Sequence, residues 1–127
     1  MSTDLNNFIK KYKDKEQAPI LQGLFGNASR ENNVLYERCL PVTEFHSPNL
    51  NDTIDIMYKT MVKEHGIGIA ANQVGLKLQI FIIESNHEDS EPRYKDLLEV
   101  KRQVFINPKI KSVSKELTNF WHGCLSA

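Results

Sequence analysis

Gly66-Ile67-Gly68-Ile69-Ala70-Ala71-Asn72-Gln73-Val74-Gly75 separates two stretches whose hydrophobic periods differ. Before it, Leu50, Ile54, Met57, Tyr58, Met61 and Val62 fall at the spacings of one helical face. Asn51, Asp52 and Thr53 offer side chains to cap the first-turn amides, and Gly66 is a natural residue to end the helix. After it the period becomes two. Leu76, Leu78, Ile80 and Ile82 share one parity, with Phe81 and Ile83 apolar on the other, which predicts a strand over 76–84 buried on both faces at its end.

Further out the signals weaken. Residues 103–107 read as a second strand, stopped by Pro108, and 109–114 as a third with Ile110 apolar between lysines. Residues 120–126 are short and β-compatible, and 85–99 form a charged loop. Upstream, 33–47 read as extended or loop, with Pro41 and Pro48 limiting helix. Residues 1–33 are polar and weakly patterned, with a short helix expected over about 5–15 and a brief strand at Ile20-Leu21. A helix among short antiparallel strands makes the class α+β, an antiparallel sheet packed around helices, rather than a repeated βαβ unit.

Composition excludes several functions. A chain of 127 residues is one domain, and 16 Lys and Arg balance 16 Asp and Glu, so charge gives no reason to expect nucleic acid or an anionic membrane as partner. No apolar run approaches the roughly 20 residues that cross a bilayer. The N-terminus lacks a secretory signal, and its lysines alternate with acids without an arginine before Arg30, which predicts a cytoplasmic protein. Cys39 and Cys124 are therefore expected to be reduced.

Two segments carry chemistry, 66–75 and His122-Gly123-Cys124-Leu125-Ser126. Dense Gly and Ala at a helix exit let backbone come close to something, either another segment of a packed turn or a ligand. The spacing is not G-x-G-x-x-G and follows a helix, which excludes the dinucleotide reading. Gln73 is an amide set among apolar neighbours, so it needs hydrogen-bond partners: backbone groups, or a developing oxyanion to which it donates. Cys124 is either a small buried hydrophobe or a ligand or nucleophile, the first being the commoner role of a lone cysteine. His122 shares its face in an extended segment, but two ligands are too few for a metal site. His46, His65 and His87 are not paired at helical spacing, and His87-Glu88 reads as solvated surface. Residues alone stop there.

Residues 66–75 resemble over their whole length the first signature of the peptide deformylases (G-hydrophobic-G-hydrophobic-A-A-x-Q-V-G), and 123–126 resemble the core of the second, E-G-C-L-S. Ile106-Asn107-Pro108 between them, Val34-Leu35, Pro41-Val42 and the helix exit Lys63-Glu64-His65-Gly66 are similar too. The resemblance covers about 20–127, with 1–19 as a polar N-terminal extension and 22–33 longer than the family's usual connection. It implies a hydrolase that removes the N-formyl group from the initiator methionine of nascent polypeptides near the ribosome exit region. It also implies an iron(II) ion, with zinc or nickel as substitutes, held by Cys124 and by both histidines of an HExxH helix. Gln73 and the Leu125 N–H would polarise the formyl oxygen, and Ile67 and Gly68 would line the substrate site.

Two departures accompany the match. His122 stands where the family has Glu, and is expected to be a surface histidine rather than a ligand. No HExxH occurs before the last residue, Ala127, so the domain is expected to lack its central C-terminal helix, two histidine ligands and the general-base Glu. Such a truncated chain is expected to be inactive alone, and to expose apolar core from the strand at 76–83. The alternative is a non-catalytic deformylase-like module that binds peptides or a partner.

Overall fold

The structure, a computed structural model, describes residues 1–23, 33–85, 99–119 and 123–126. Its central helix, α2 (Pro48–Lys63), follows α1 (Ser2–Tyr12) and a short 3-10 turn at Val34–Tyr36. The three strands are β1 (Gly68–Ala70), β2 (Ile80–Ser85) and β3 (Val100–Ile106), with a second 3-10 turn, Ala71–Val74, between β1 and β2. They form one antiparallel sheet in the order β1-β2-β3, which bears out the α+β class.

Helix α2 begins earlier than its hydrophobic face suggests. Ser47 is the N-cap, its Oγ accepting from Leu50 N–H at 3.1 Å, and Pro48 opens the helix. Proline lacks an N–H that the first turn has no partner for, so it initiates here instead of limiting the helix. Asn51, Asp52 and Thr53 lie inside it. The exit also differs from expectation. His65, at φ 58°, takes the left-handed position, and the bonds His65 N–H to Val62 C=O and Gly66 N–H to Met61 C=O close a Schellman motif. Gly66 instead makes room for a neighbour, since a Cβ there would lie 2.8 Å from Leu125 Cδ1 and 3.6 Å from Met61 Cγ.

The core gathers the α2 face (Leu50, Ile54, Ile56, Met57, Met61) with Ile69, Leu76, Leu78, Ile80 and Ile82. The even-numbered residues 76–82 thus point inward, and for them the expectation of exposure fails because the core shared with α1 and α2 covers them, while Phe81 and Ile83 on the other face are half-buried. Exposed apolar side chains lie elsewhere, at Val104, Ile110, Val113 and Leu117, the last 97 % exposed. On the other face of the sheet Phe81 stacks on Phe105 with ring centroids 4.6 Å apart. The ladder of β2 starts only at Ile80, while Leu78 makes an isolated bridge to Leu40. β3 ends at Ile106 and is followed by Asn107, whose φ of 53° and side-chain amide both suit it to a corner. That amide exchanges two bonds with the Val42 backbone, at 2.7 and 2.9 Å, as a strand partner would.

α1 starts three residues before the helix expected at 5–15, and it places Leu5 and Phe8 in the core. Beyond it Ala18 N–H donates to the buried Thr60 Oγ1 at 3.0 Å, carrying the chain along α2. Ile20-Leu21 form no strand, and neither do 109–114. Within 120–126, the described residues end in a turn at Leu125-Ser126 instead of a strand; the loop at 86–98 lies outside the described residues.

Removing the Ser47 hydroxyl should cost about 1 kcal/mol: urea unfolding of Ser47→Ala should show a lower midpoint at unchanged slope. Gly66→Ala should also cost about 1 kcal/mol, the low end of overpacking, because the flexible end of Leu125 yields first. The same titration checks both.

Candidate active site

The antiparallel ladder between β1 and β2 has a phase that decides which groups reach outward. Glu84 N–H donates to Ile67 C=O at 2.9 Å, so Ile67 and Ile69 turn their backbone groups to β2, while those of Gly68 and Ala70 turn to the open edge of the sheet. Ala70 N–H finds a partner there. The chain enters the 3-10 turn Ala71–Val74, ended by Gly75 at φ 89°, and that turn folds Gln73 back so that its Oε1 accepts from Ala70 N–H at 2.8 Å.

This bond settles the orientation of the amide, since the oxygen is engaged and the NH2 must face away. Gln73 Nε2 lies 3.1 Å from Ser126 Oγ and 3.8 Å from Cys124 Sγ, the latter within reach of a sulfur acceptor. Two segments 51 residues apart are thereby joined by one side chain. Cys124 is exposed and free of any disulfide, Leu125 is half-buried against Gly66, and Ser126 is 6 % exposed. The Gln73 carbonyl accepts from Leu21 N–H at 2.7 Å, and Gln22 and Gly23 bond the 125–126 turn.

Of the residues singled out in the sequence, Ile67, Gly68 and Gln73 thus share one edge of the sheet, and Cys124 and Leu125 come to it from the far end of the chain. His122 lies outside the described residues. Cys39 is not part of the cluster: it is half-buried beside Lys77, and burial pushes its thiol up against the opposing pull of that ammonium. Sequence reasoning does not single out Ser126 as a partner of Gln73, nor Leu21, Gln22 and Gly23 as neighbours. Ser126 stands two residues after Cys124, and that spacing is the available signal. Main-chain bonds leave none.

Among the described residues no group of three or more His, Cys, Asp or Glu side chains could hold a metal ion. Cys124 contributes one soft donor, which does not by itself fit a catalytic ion. A cavity of about 550 Å³, lined by Phe8, Tyr12, Leu21, Val74, Leu76 and Leu78 among others, is bordered by none of the candidate residues. Among the described residues no helix is long and apolar enough to cross a membrane.

The family model described as polypeptide deformylase matches residues 28–127. Peptide deformylase 1 of Bordetella pertussis is 40% identical over 86 residues, covering 68% of this chain and 47% of that protein. Peptide deformylase 1 of Bifidobacterium longum is 31% identical over 127 residues, 99% of this chain and 55% of that protein. A solved structure of class I type b peptide deformylase from Acinetobacter baumannii, with Met-Ala-Ser bound, matches with a TM-score of 0.73 at 32% identity, over 87% of this chain and 64% of that one. The chain spans about half the length of these curated relatives. With both signatures brought together on one sheet edge and residues 28–127, most of this chain, matched by the family model, the chain belongs to the peptide deformylase family.

Proposed function

We propose that this chain supplies the peptide-binding and carbonyl-polarising half of a deformylase site, one that acts on the N-formyl group of the initiator methionine of nascent polypeptides. The observation that carries the proposal is the Gln73 amide, held by Ala70 N–H with its NH2 turned to Cys124 and Ser126. Family membership implies a metal cofactor and formylmethionyl peptides as substrates. Iron(II), with zinc or nickel as substitutes, is the metal we assign, and Cys124 its thiolate ligand. The ribosome exit region in the cytoplasm is the corresponding place of work.

The chain's own groups then act by binding and orientation. An extended peptide adds to the open edge at Gly68, where the missing Cβ lets another backbone approach, and Ile67 lines its path. One Gln73 amide hydrogen is engaged by Ser126 Oγ. The second, together with the Leu125 N–H, is directed at the formyl oxygen. A fixed donor at a developing oxyanion lowers the barrier by roughly 3 kcal/mol, since no reorganisation is needed as charge builds.

A second reading is a deformylase-like module that binds formylated peptides without turnover; among the described residues Cys124 stands in no group of three or more His, Cys, Asp or Glu side chains that could hold a metal ion. Two measurements test the proposal. Calorimetric titration of the chain with N-formyl-Met-Ala-Ser and with Met-Ala-Ser should show tighter binding of the formylated peptide, and Gln73→Ala should erase roughly two- to tenfold of that preference, the worth of one hydrogen bond. Equal affinities in the unsubstituted chain would sink the polarising role. The 127-residue chain alone, supplied with iron(II) or zinc(II), should release no formate. Formate release that disappears in Cys124→Ala would instead establish turnover.

A further inference from the structure

Residues 20–23 run past both signature segments and bond each of them. Leu21 N–H donates to the Gln73 carbonyl at 2.7 Å, and Gly23 N–H donates to the Ser126 carbonyl. N–H groups two residues apart that reach the same side belong to an extended chain, where they stand roughly 6.6 Å apart. These two bonds therefore hold the Gln73 and Ser126 backbones one strand step from each other. The residue between them adds a third tie, Gln22 Nε2 to the Leu125 carbonyl at 3.1 Å.

The strap is itself held from behind. Asn33 Nδ2 donates to the Gln22 carbonyl at 3.0 Å, while Asn33 Oδ1 caps the next turn through Leu35 N–H, also at 3.0 Å. At Gly23 a Cβ would meet the Ser126 carbonyl at 3.2 Å, close enough that the carbonyl must give by a few tenths of an ångström, and the Tyr36 hydroxyl at 3.5 Å, an ordinary contact.

We infer that this strap, through Gln22 and Gly23, is a positioning device that sets the span the Gln73 side chain crosses to Ser126 and so aims its remaining amide hydrogen beside Cys124. One neutral side-chain hydrogen bond is too weak to keep a remote turn in register. Two main-chain bonds from a single extended segment do so, because they fix separation as well as contact. The consequence for peptide binding rests on the polarising role proposed above; the orientation itself does not, and it is readable without any peptide.

The test uses the whole chain labelled with ¹⁵N, with the Gln73 side-chain NH2 resonances assigned by their loss in Gln73→Ala. Gln22→Glu, at an exposed position, turns the donor into a carboxylate facing the Leu125 carbonyl. Gly23→Ala pushes the Ser126 carbonyl back by a few tenths of an ångström, and Gln22→Lys keeps a donor. Gln22→Glu and Gly23→Ala should both shift the Gln73 NH2 pair and weaken N-formyl-Met-Ala-Ser binding by roughly two- to tenfold, with Met-Ala-Ser unaffected. Gln22→Lys should restore both readouts toward those of the unsubstituted chain. Gln73 resonances unmoved in Gln22→Glu overturn the inference, whatever Gly23→Ala does to folding. Shifted resonances in a chain that never discriminates the formyl group support the strap and refute the polarising role.

Discussion

An edge strand turns half of its amides away from the sheet, and each of those groups needs either water or a partner. In β1 the outward Ala70 N–H is taken by Gln73 Oε1 at 2.8 Å. Much follows from that bond. It engages the only acceptor of the amide, which leaves two hydrogens and one direction for them. It also folds the 3-10 turn Ala71–Val74 back on the strand that precedes it, so that a residue of the turn lies along the open edge of the sheet. The edge, the amide and the segment around Cys124 are thereby made neighbours without any group outside the chain.

The way α2 ends makes this arrangement reachable. The Schellman closure at Met61 and Val62 reverses the chain within two residues, and β1 starts at Gly68. His65 bears the left-handed conformation that glycine would adopt more cheaply. Gly66 is thus released from a conformational duty and serves a steric one, making room for Leu125. The helix exit and the turn after Cys124 are in this sense one packing problem, although 59 positions separate Gly66 from Leu125 in the numbering.

What is legible in the sequence tracks how local its cause is. The apolar stripe of α2 and the even parity at 76–82 are readable because side-chain period follows directly from backbone geometry. The start of α2 is misread because Pro48 has opposite meanings inside a helix and at its first position, and only the cap at Ser47 distinguishes them. The length of β2 is overread for a related reason: Leu76 and Leu78 keep the parity of a strand without its ladder. At the site, Gln73 and Cys124 are found through the motifs they stand in. Ser126 and residues 21–23 are not, since their part is played by a single hydroxyl and by main-chain groups, which every residue type but proline presents alike.

The identity of residue 73 can be argued from the bonds it makes. A glutamate would still accept from Ala70 N–H, but its second oxygen would face Ser126 Oγ and Cys124 Sγ as a further acceptor. If Cys124 were a thiolate, two negative groups would then lie within about 4 Å, a repulsion of roughly 1 kcal/mol in water and more where solvent is excluded. An asparagine keeps the donor but is one methylene shorter, so it loses either the Ala70 bond behind it or the Ser126 bond ahead. A lysine supplies donors and no acceptor, which leaves Ala70 N–H without its partner. Glutamine alone among these joins an acceptor to a donor across the required span, and so turns a structural need of the edge strand into a directed hydrogen beside Cys124.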